Sequence, residues 1–104
     1  MAEVLDATTL SQRLSALDGW LGDTAGIHRT ITLSSFPAAI AVVDRVAEIA
    51  EESDHHPDID IRWRTVTFTC CTHSAGGVTD LDVTLAARID GIIAAAQPTT
   101  ERNI

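Results

Sequence analysis

Residues 60–72 read DIRWRTVTFTCCT, and the fold turns on how this stretch extends. Thr65, Thr67 and Thr69 favour a strand through β-branching. Ile61 and Trp63 are apolar at odd positions, whereas Val66, Phe68 and Cys70 are apolar at even ones. Neighbouring side chains on a strand point to opposite faces, so the phase changes near Arg64-Thr65. The pattern predicts one long strand over Asp60 to Thr72. A bulge flips its register there, or its two faces meet apolar partners at different points.

Working outward, Ser35-Phe36-Pro37 opens the clearest helix, with Ser35 as N-cap and proline in the tolerant first turn. Phe36, Ile40, Val43, Ala47 and Ala50 fall at helical spacing and are predicted to form its buried stripe. Pro57 forces the helix to end before it. Downstream, the loop Ser74-Ala75-Gly76-Gly77 leads into Thr79-Asp80-Leu81-Asp82, which resembles a capping box. Leu81, Leu85, Ile89, Ile92 and Ala96 are predicted to stripe that last helix, and Pro98 stops it. Near the N-terminus, Thr8 or Thr9 starts a short helix carrying Leu10, Leu14 and Leu17. Gly22 to Gly26 reads as a hairpin loop, and Ile27 to Leu33 alternates. Arg29 interrupts the apolar face of that strand, which suggests a position near an edge. The order is helix, two strands, helix, strand, helix: an α+β fold with a small antiparallel sheet and helices on one face.

The chain has 104 residues, 15 acidic against 7 basic, and a net charge of −8. Its length fits one domain, residues 1–104, with no repeat or linker dividing it. The acidic balance argues against nucleic acid, whose phosphates are neutralised by Lys and Arg. The apolar runs Ala38 to Val43 and Ile92 to Ala96 are far short of a membrane span. No secretory signal is visible, and the adjacent Cys70 and Cys71 read as reduced thiols of a cytoplasmic protein.

Three of the four histidines flank the central strand: His55 and His56 before it, His73 at its end. Imidazole exchanges protons near neutral pH, and acid–base chemistry needs a donor and an acceptor on different atoms of one substrate. Glu51, four residues before His55, and the adjacent Asp54 could orient a ring. A plain helix end, where histidine is favourable, explains the pair equally. A metal site built from the three histidines with Asp54 or Asp58 is a further reading, although the spacing is not a recognised zinc pattern. The sequence leaves open whether the histidines meet within one chain or across two.

Asp54-His55-His56-Pro57-Asp58, then Val66, Thr72-His73, Gly76-Gly77, Thr79, Asp82 and Leu85-Ala86, together resemble the pterin-4a-carbinolamine dehydratases. The resemblance continues upstream through Glu51, the Phe36 helix and Gly19-Trp20. It implies a four-stranded antiparallel sheet with helices packed on one face, in a homodimer or homotetramer. It also implies loss of water from a 4a-hydroxytetrahydropterin, without metal or cofactor, in pterin recycling for an aromatic amino acid hydroxylase. Carried over by position, His55, His56 and His73 are catalytic, and Glu51, Asp54 and Asp82 are the nearby carboxylates. The pterin would lie against Asp54, His55, His56, Cys71, Thr72, His73 and Ser74. Ile59 and Trp63 stand where the family often has an aromatic residue and a tyrosine. The alternative is a non-catalytic dimerisation or assembly module on the same fold; no exposed apolar stripe is evident in the sequence to demand it.

Overall fold

The computed structural model describes residues 3–97; the stop assigned to Pro98 lies outside them. The elements run α1 (Ala7–Ser15), β1 (Leu21–Asp23), β2 (Gly26–Thr32), α2 (Phe36–Ser53), β3 (Asp58–Arg62), β4 (Thr65–Cys70) and α3 (Asp80–Ala96). The strands form one antiparallel sheet in the order β1-β2-β4-β3.

The predicted long strand is two strands joined by a tight turn. Arg62 pairs with Thr65, leaving Trp63-Arg64 as the loop. A two-residue turn pairs odd positions with even ones, so Ile59 lies beside Phe68 and Ile61 beside Val66. The change of phase is therefore the mark of a hairpin, and no bulge is needed. Trp63 enters the turn at φ 57°, a conformation that bulky residues rarely adopt.

Val66, Phe68 and Cys70 of β4 and Ile27 and Ile31 of β2 form the inner face, against Val42, Val46, Leu85, Ile89 and Ile93 of the helices. The outer face carries His28, Thr30, Thr32, Thr65, Thr67 and Thr69. Its hydroxyls pair across the strands, Thr30 with Thr67 at 2.8 Å and Thr32 with Thr65 at 3.1 Å. This one-sided arrangement gives β4 its strict alternation.

Two helices differ in detail from the expected stripes. In α2 the fully buried positions are Ala39, Val42, Val46 and Ala50. Phe36 is 48% exposed, and Ala47 faces solvent too. In α3 the buried set is Asp82, Leu85, Ala86, Ile89 and Ile93, with Leu81 at 46% exposure. Both helices carry apolar residues on more than one side, so periodicity alone fits two registers. Exposed apolar side chains also stand on edge strand β3, where Ile59 and Ile61 are 36% and 38% exposed, and at Trp63, 71% exposed. The absence of an outward apolar surface inferred from the sequence does not hold.

The N-cap of α1 is Asp6, whose carboxylate accepts from the Thr9 amide at 2.7 Å, two or three residues earlier than the expected Thr8 or Thr9. Ser35 caps α2 as expected, accepting from the Ala38 amide at 3.1 Å. Arg29 lies on an interior strand, opposite Phe68. However, β1 pairs with β2 only as far as His28, so on that side β2 has no strand partner from Arg29 onward. Asp90 of α3 fills the gap. Its Oδ1 accepts from Arg29 at 2.6 Å and from the Trp20 indole at 2.6 Å. Among the described residues no helix is long and apolar enough to cross a membrane.

Two outcomes test this packing. Ile93→Ala should cost about 2–5 kcal/mol in urea unfolding, and Ile92→Ala, one position away and only partly buried, clearly less. Equal losses would contradict the observed helix register. Both cysteines are free. Burial, reinforced by Asp82, Cys71 and Asp58, pushes the Cys70 thiol up to about 12. Slight burial and the negative charges of Asp82 and Asp58 also raise the Cys71 thiol. Because the thiolate is the reactive form, alkylation of the folded protein should label Cys71, faster as pH rises, and spare Cys70. Mass spectrometry after denaturation should find both thiols competent; equal labelling of the folded protein would contradict the burial of Cys70.

Candidate active site

The site begins with the ending of α2. Asp54 caps the helix in a left-handed conformation, φ 53° and ψ 41°, which aspartate tolerates better than most residues. The chain reverses there: the Asp54 amide donates to Glu51 O and the His55 amide to Ala50 O. His55 is thereby turned towards α3, away from Glu51. Its Nε2 meets Asp82 Oδ1 at 2.6 Å. The His55 side chain is 14% exposed and that of Asp82 is 0%. His56 takes the position one helical turn from Glu51, with Nε2 at 3.0 Å from Glu51 Oε1, on the exposed side. The anticipated link from Glu51 to His55 is thus a link to His56, because the left-handed cap shifts the ring that faces the helix.

On the other side, β4 delivers Cys71, Thr72 and His73. Thr72 pairs with Gly77 across a tight loop, and its carbonyl accepts from Ala75, Gly76 and Gly77. Gly76 holds φ 84°, and a Cβ on Gly77 would come within 2.5 Å of Thr24 O. The Gly-Gly step therefore makes a turn that other residues would strain. It returns the chain to Thr79, the N-cap of α3, where the capping box forms as expected. Asp82 Oδ2 accepts from the Thr79 amide at 2.9 Å and from the Thr72 hydroxyl at 2.8 Å. The carboxylate that caps α3 is thus also the one that holds His55. It takes no arginine or lysine among the described residues. Its charge is met by hydrogen bonds and by a ring whose charge depends on its protonation.

His73 is exposed, with both ring nitrogens 3.7 Å from Cys71 Sγ. It follows directly on Thr72, so Asp82 and Thr72 tie the His55 ring to the strand end from which His73 projects. Ser74 is exposed beside it, whereas Thr72 is 6% exposed with its hydroxyl already engaged. His56 joins this end of the molecule through α2 and makes no hydrogen bond to the Asp82 group. The Asp54 carboxylate makes no hydrogen bond among the described residues; its backbone shape is what it contributes to the turn. Among the described residues no three His, Cys, Asp or Glu side chains cluster closely enough to hold a metal ion.

Beside His55 is a depression of about 100 Å³ lined by Ser53, His55, Leu81, Thr84, Leu85 and Arg88. Arg88 is held at its rim by Glu52 at 2.7 Å. Sequence reasoning did not single out this wall. No sequence signal marked it, since Leu81 fits the expected α3 stripe and only the structure leaves it exposed beside His55. Two larger concavities, about 280 Å³ between α1 and β1 and about 320 Å³ beside Asp90, contain no histidine. Their size does not supply the paired proton donor and acceptor that acid–base chemistry requires.

Comparison with known proteins identifies the family. The family model described as Pterin 4 alpha carbinolamine dehydratase matches residues 3–92. A relative from Nocardia farcinica, named "Putative pterin-4-alpha-carbinolamine dehydratase", is 57% identical over 88 residues, 85% of this chain and 93% of the relative. One of the same name from Roseiflexus castenholzii is 52% identical over 93 residues, 89% of this chain and all (100%) of the relative. Among solved structures, a transcriptional coactivator/pterin dehydratase from Brucella melitensis superposes with a TM-score of 0.80. It is 33% identical, and the match covers 85% of this chain and 96% of that one. A pterin dehydratase-like RuBisCO assembly factor of the alpha-carboxysome shares the fold, with a TM-score of 0.58 at 23% identity over 70% of this chain and 84% of that one. With the family model spanning nearly all the described residues and relatives of that name 57% and 52% identical, this chain belongs to the pterin 4 alpha carbinolamine dehydratase family.

Proposed function

We propose that the protein dehydrates a 4a-hydroxytetrahydropterin to the quinonoid dihydropterin. The observation that carries this reading is the His55 ring fastened by a buried carboxylate, 2.6 Å away, beside the strand end that presents His73. The reaction breaks the C4a–O bond and removes the proton on N5 as the C=N bond forms. Hydroxide is a poor leaving group, so an imidazolium donates a proton and the oxygen departs as water. A neutral imidazole takes the N5 proton. One proton is given and one received, so the pair of rings ends with its total proton count unchanged and no electrons are exchanged.

His55 and His73 serve as the two proton carriers, and His56, steadied by Glu51, mainly positions the pterin. The pterin lies against Asp54 to His56 and Cys71 to Ser74, with Thr72 contributing backbone because its hydroxyl is occupied. The reading requires no metal or other cofactor. It places the enzyme in the cytoplasm, in keeping with its free thiols, and in pterin recycling for an aromatic amino acid hydroxylase. The outward apolar residues of α2 and β3 provide faces for a second copy in a homodimer or homotetramer. Those same faces favour a second reading, a docking module whose importance does not depend on turnover.

Breakdown of a 4a-hydroxytetrahydropterin by the purified protein, followed by stopped-flow absorbance, separates the two. His55→Ala and His73→Ala should each lower turnover by roughly 10²–10⁴-fold while changing the affinity for a product analogue much less. Parallel losses of turnover and affinity would make the histidines binding groups only. A wild-type protein that leaves the spontaneous rate unchanged would favour the docking module.

A further inference from the structure

The reading of His55 as a proton carrier leaves open which ring nitrogen does the work and what selects it. The hydrogen bonds around Asp82 answer both. Oδ2 accepts from the Thr79 amide, which can only donate, and from the Thr72 hydroxyl. A hydroxyl has one proton to give, and that of Thr72 is spent on the carboxylate. The 2.8 Å contact between the Thr72 and Thr79 hydroxyls must then be donated by Thr79. Thr79 Oγ1 in turn accepts from the Leu81 amide at 3.2 Å. Each proton in this group has a single place, and all of it is buried: Thr72 is 6% exposed, Thr79 0% and Asp82 0%.

Asp82 Oδ1 is consequently left as an acceptor facing His55 Nε2 at 2.6 Å. The nitrogen that faces a carboxylate acceptor carries hydrogen in both the neutral and the protonated ring. Nδ1 makes no hydrogen bond among the described residues, where the one buried side-chain nitrogen or oxygen without a partner is Arg64 Nε. Nδ1 is therefore on the accessible side of the ring. We propose that Thr72, backed by Thr79, is a positioning residue for His55: its hydroxyl fixes the Asp82 carboxylate so that Nε2 stays protonated and Nδ1 alone exchanges protons with the pterin. This rests on the dehydratase reading for its kinetic consequence, but the tautomer itself does not.

Two measurements test it. In ¹⁵N-correlated NMR of the wild-type protein, neutral His55 should carry its proton on Nε2. In Thr72→Val the ring should show a mixture of tautomers, with Thr72→Ser restoring the wild-type spectrum. Dehydration assays should show kcat lowered roughly 10- to 100-fold in Thr72→Val with KM changed less than about threefold, and largely recovered in Thr72→Ser. A wild-type His55 protonated on Nδ1 overturns the proposal without any variant, so misfolding of Thr72→Val cannot shield it. A rise in KM at unchanged kcat also overturns it, by making Thr72 a substrate contact. Loss of kcat with the tautomer intact does so by leaving only a structural role. If the wild type is inactive while His55 holds its proton on Nε2, the dehydratase reading fails and the positioning survives.

Discussion

A carboxylate with no exposed surface has to be surrounded by donors, and Asp82 is the group on which this molecule's arrangement depends. Its two oxygens take hydrogen bonds from three directions: the first turn of α3, the end of β4 and the residue just beyond α2. Asp82 is the one side chain that hydrogen-bonds all three segments among the described residues. Removing any one donor leaves part of a buried charge unmet, a loss of about 1–3 kcal/mol or more for a charged group. Helix capping, loop closure and ring orientation are thus one requirement satisfied once.

The rest of the fold prepares that meeting. The inner face of the sheet, Ile27, Ile31, Val66, Phe68 and Cys70, seats α2 and α3 on the same side. The end of one helix and the start of the other then both reach the end of β4. The outer face carries threonines that pair with one another and contribute nothing to the site. An arrangement with helices on both faces would place α2 and α3 on opposite sides of the strand. One carboxylate could not then reach both the His55 ring and the α3 N-terminus.

Much of this was legible in the sequence where local chemistry decides structure. Ser35 before a proline, the Gly76-Gly77 turn and the Thr79 to Asp82 spacing each have a local cause, and each appears as expected. The β3–β4 hairpin was not legible, because Trp63-Arg64 has none of the usual turn residues and Trp63 adopts a positive φ only within the paired strands. The α3 stripe was read correctly at Leu85 and Ile89 and missed by one position at Leu81 and Ile92, in the first turn because its innermost residue is Asp82, which no hydrophobic pattern selects. The same substitution of polar for apolar marks the site. As for α2, Phe36, Ile40, Val43 and Ala47 form a pattern as regular as the buried Ala39, Val42, Val46 and Ala50, and only tertiary packing chooses between them. The three histidines were recognisable as a group from the resemblance. Glu51 and Asp82 were named beside them, but which ring each faces was not legible, since the left-handed turn at Asp54 reassigns Glu51 from His55 to His56.

Helix α3 carries a second recessed carboxylate, Asp90, and the two differ in how their charge is met. Asp90 is matched by Arg29 at 2.6 Å, a cation that keeps its charge at every accessible pH, and by the Trp20 indole. That neutralisation is permanent, and it joins α3 to β2 whatever the protein is doing. Asp82 has no such partner. The group facing it is an imidazole, whose charge appears and disappears with a single proton. A carboxylate matched in this way is a poor fastening if stability were its only task, because it is compensated only part of the time. Under the proposed dehydration it suits a ring that accepts a proton and releases it without changing orientation. The Thr72 hydroxyl and the Thr79 amide supply the constant share of the compensation and His55 the variable share. That division of labour gives the site one fixed side and one that can turn over.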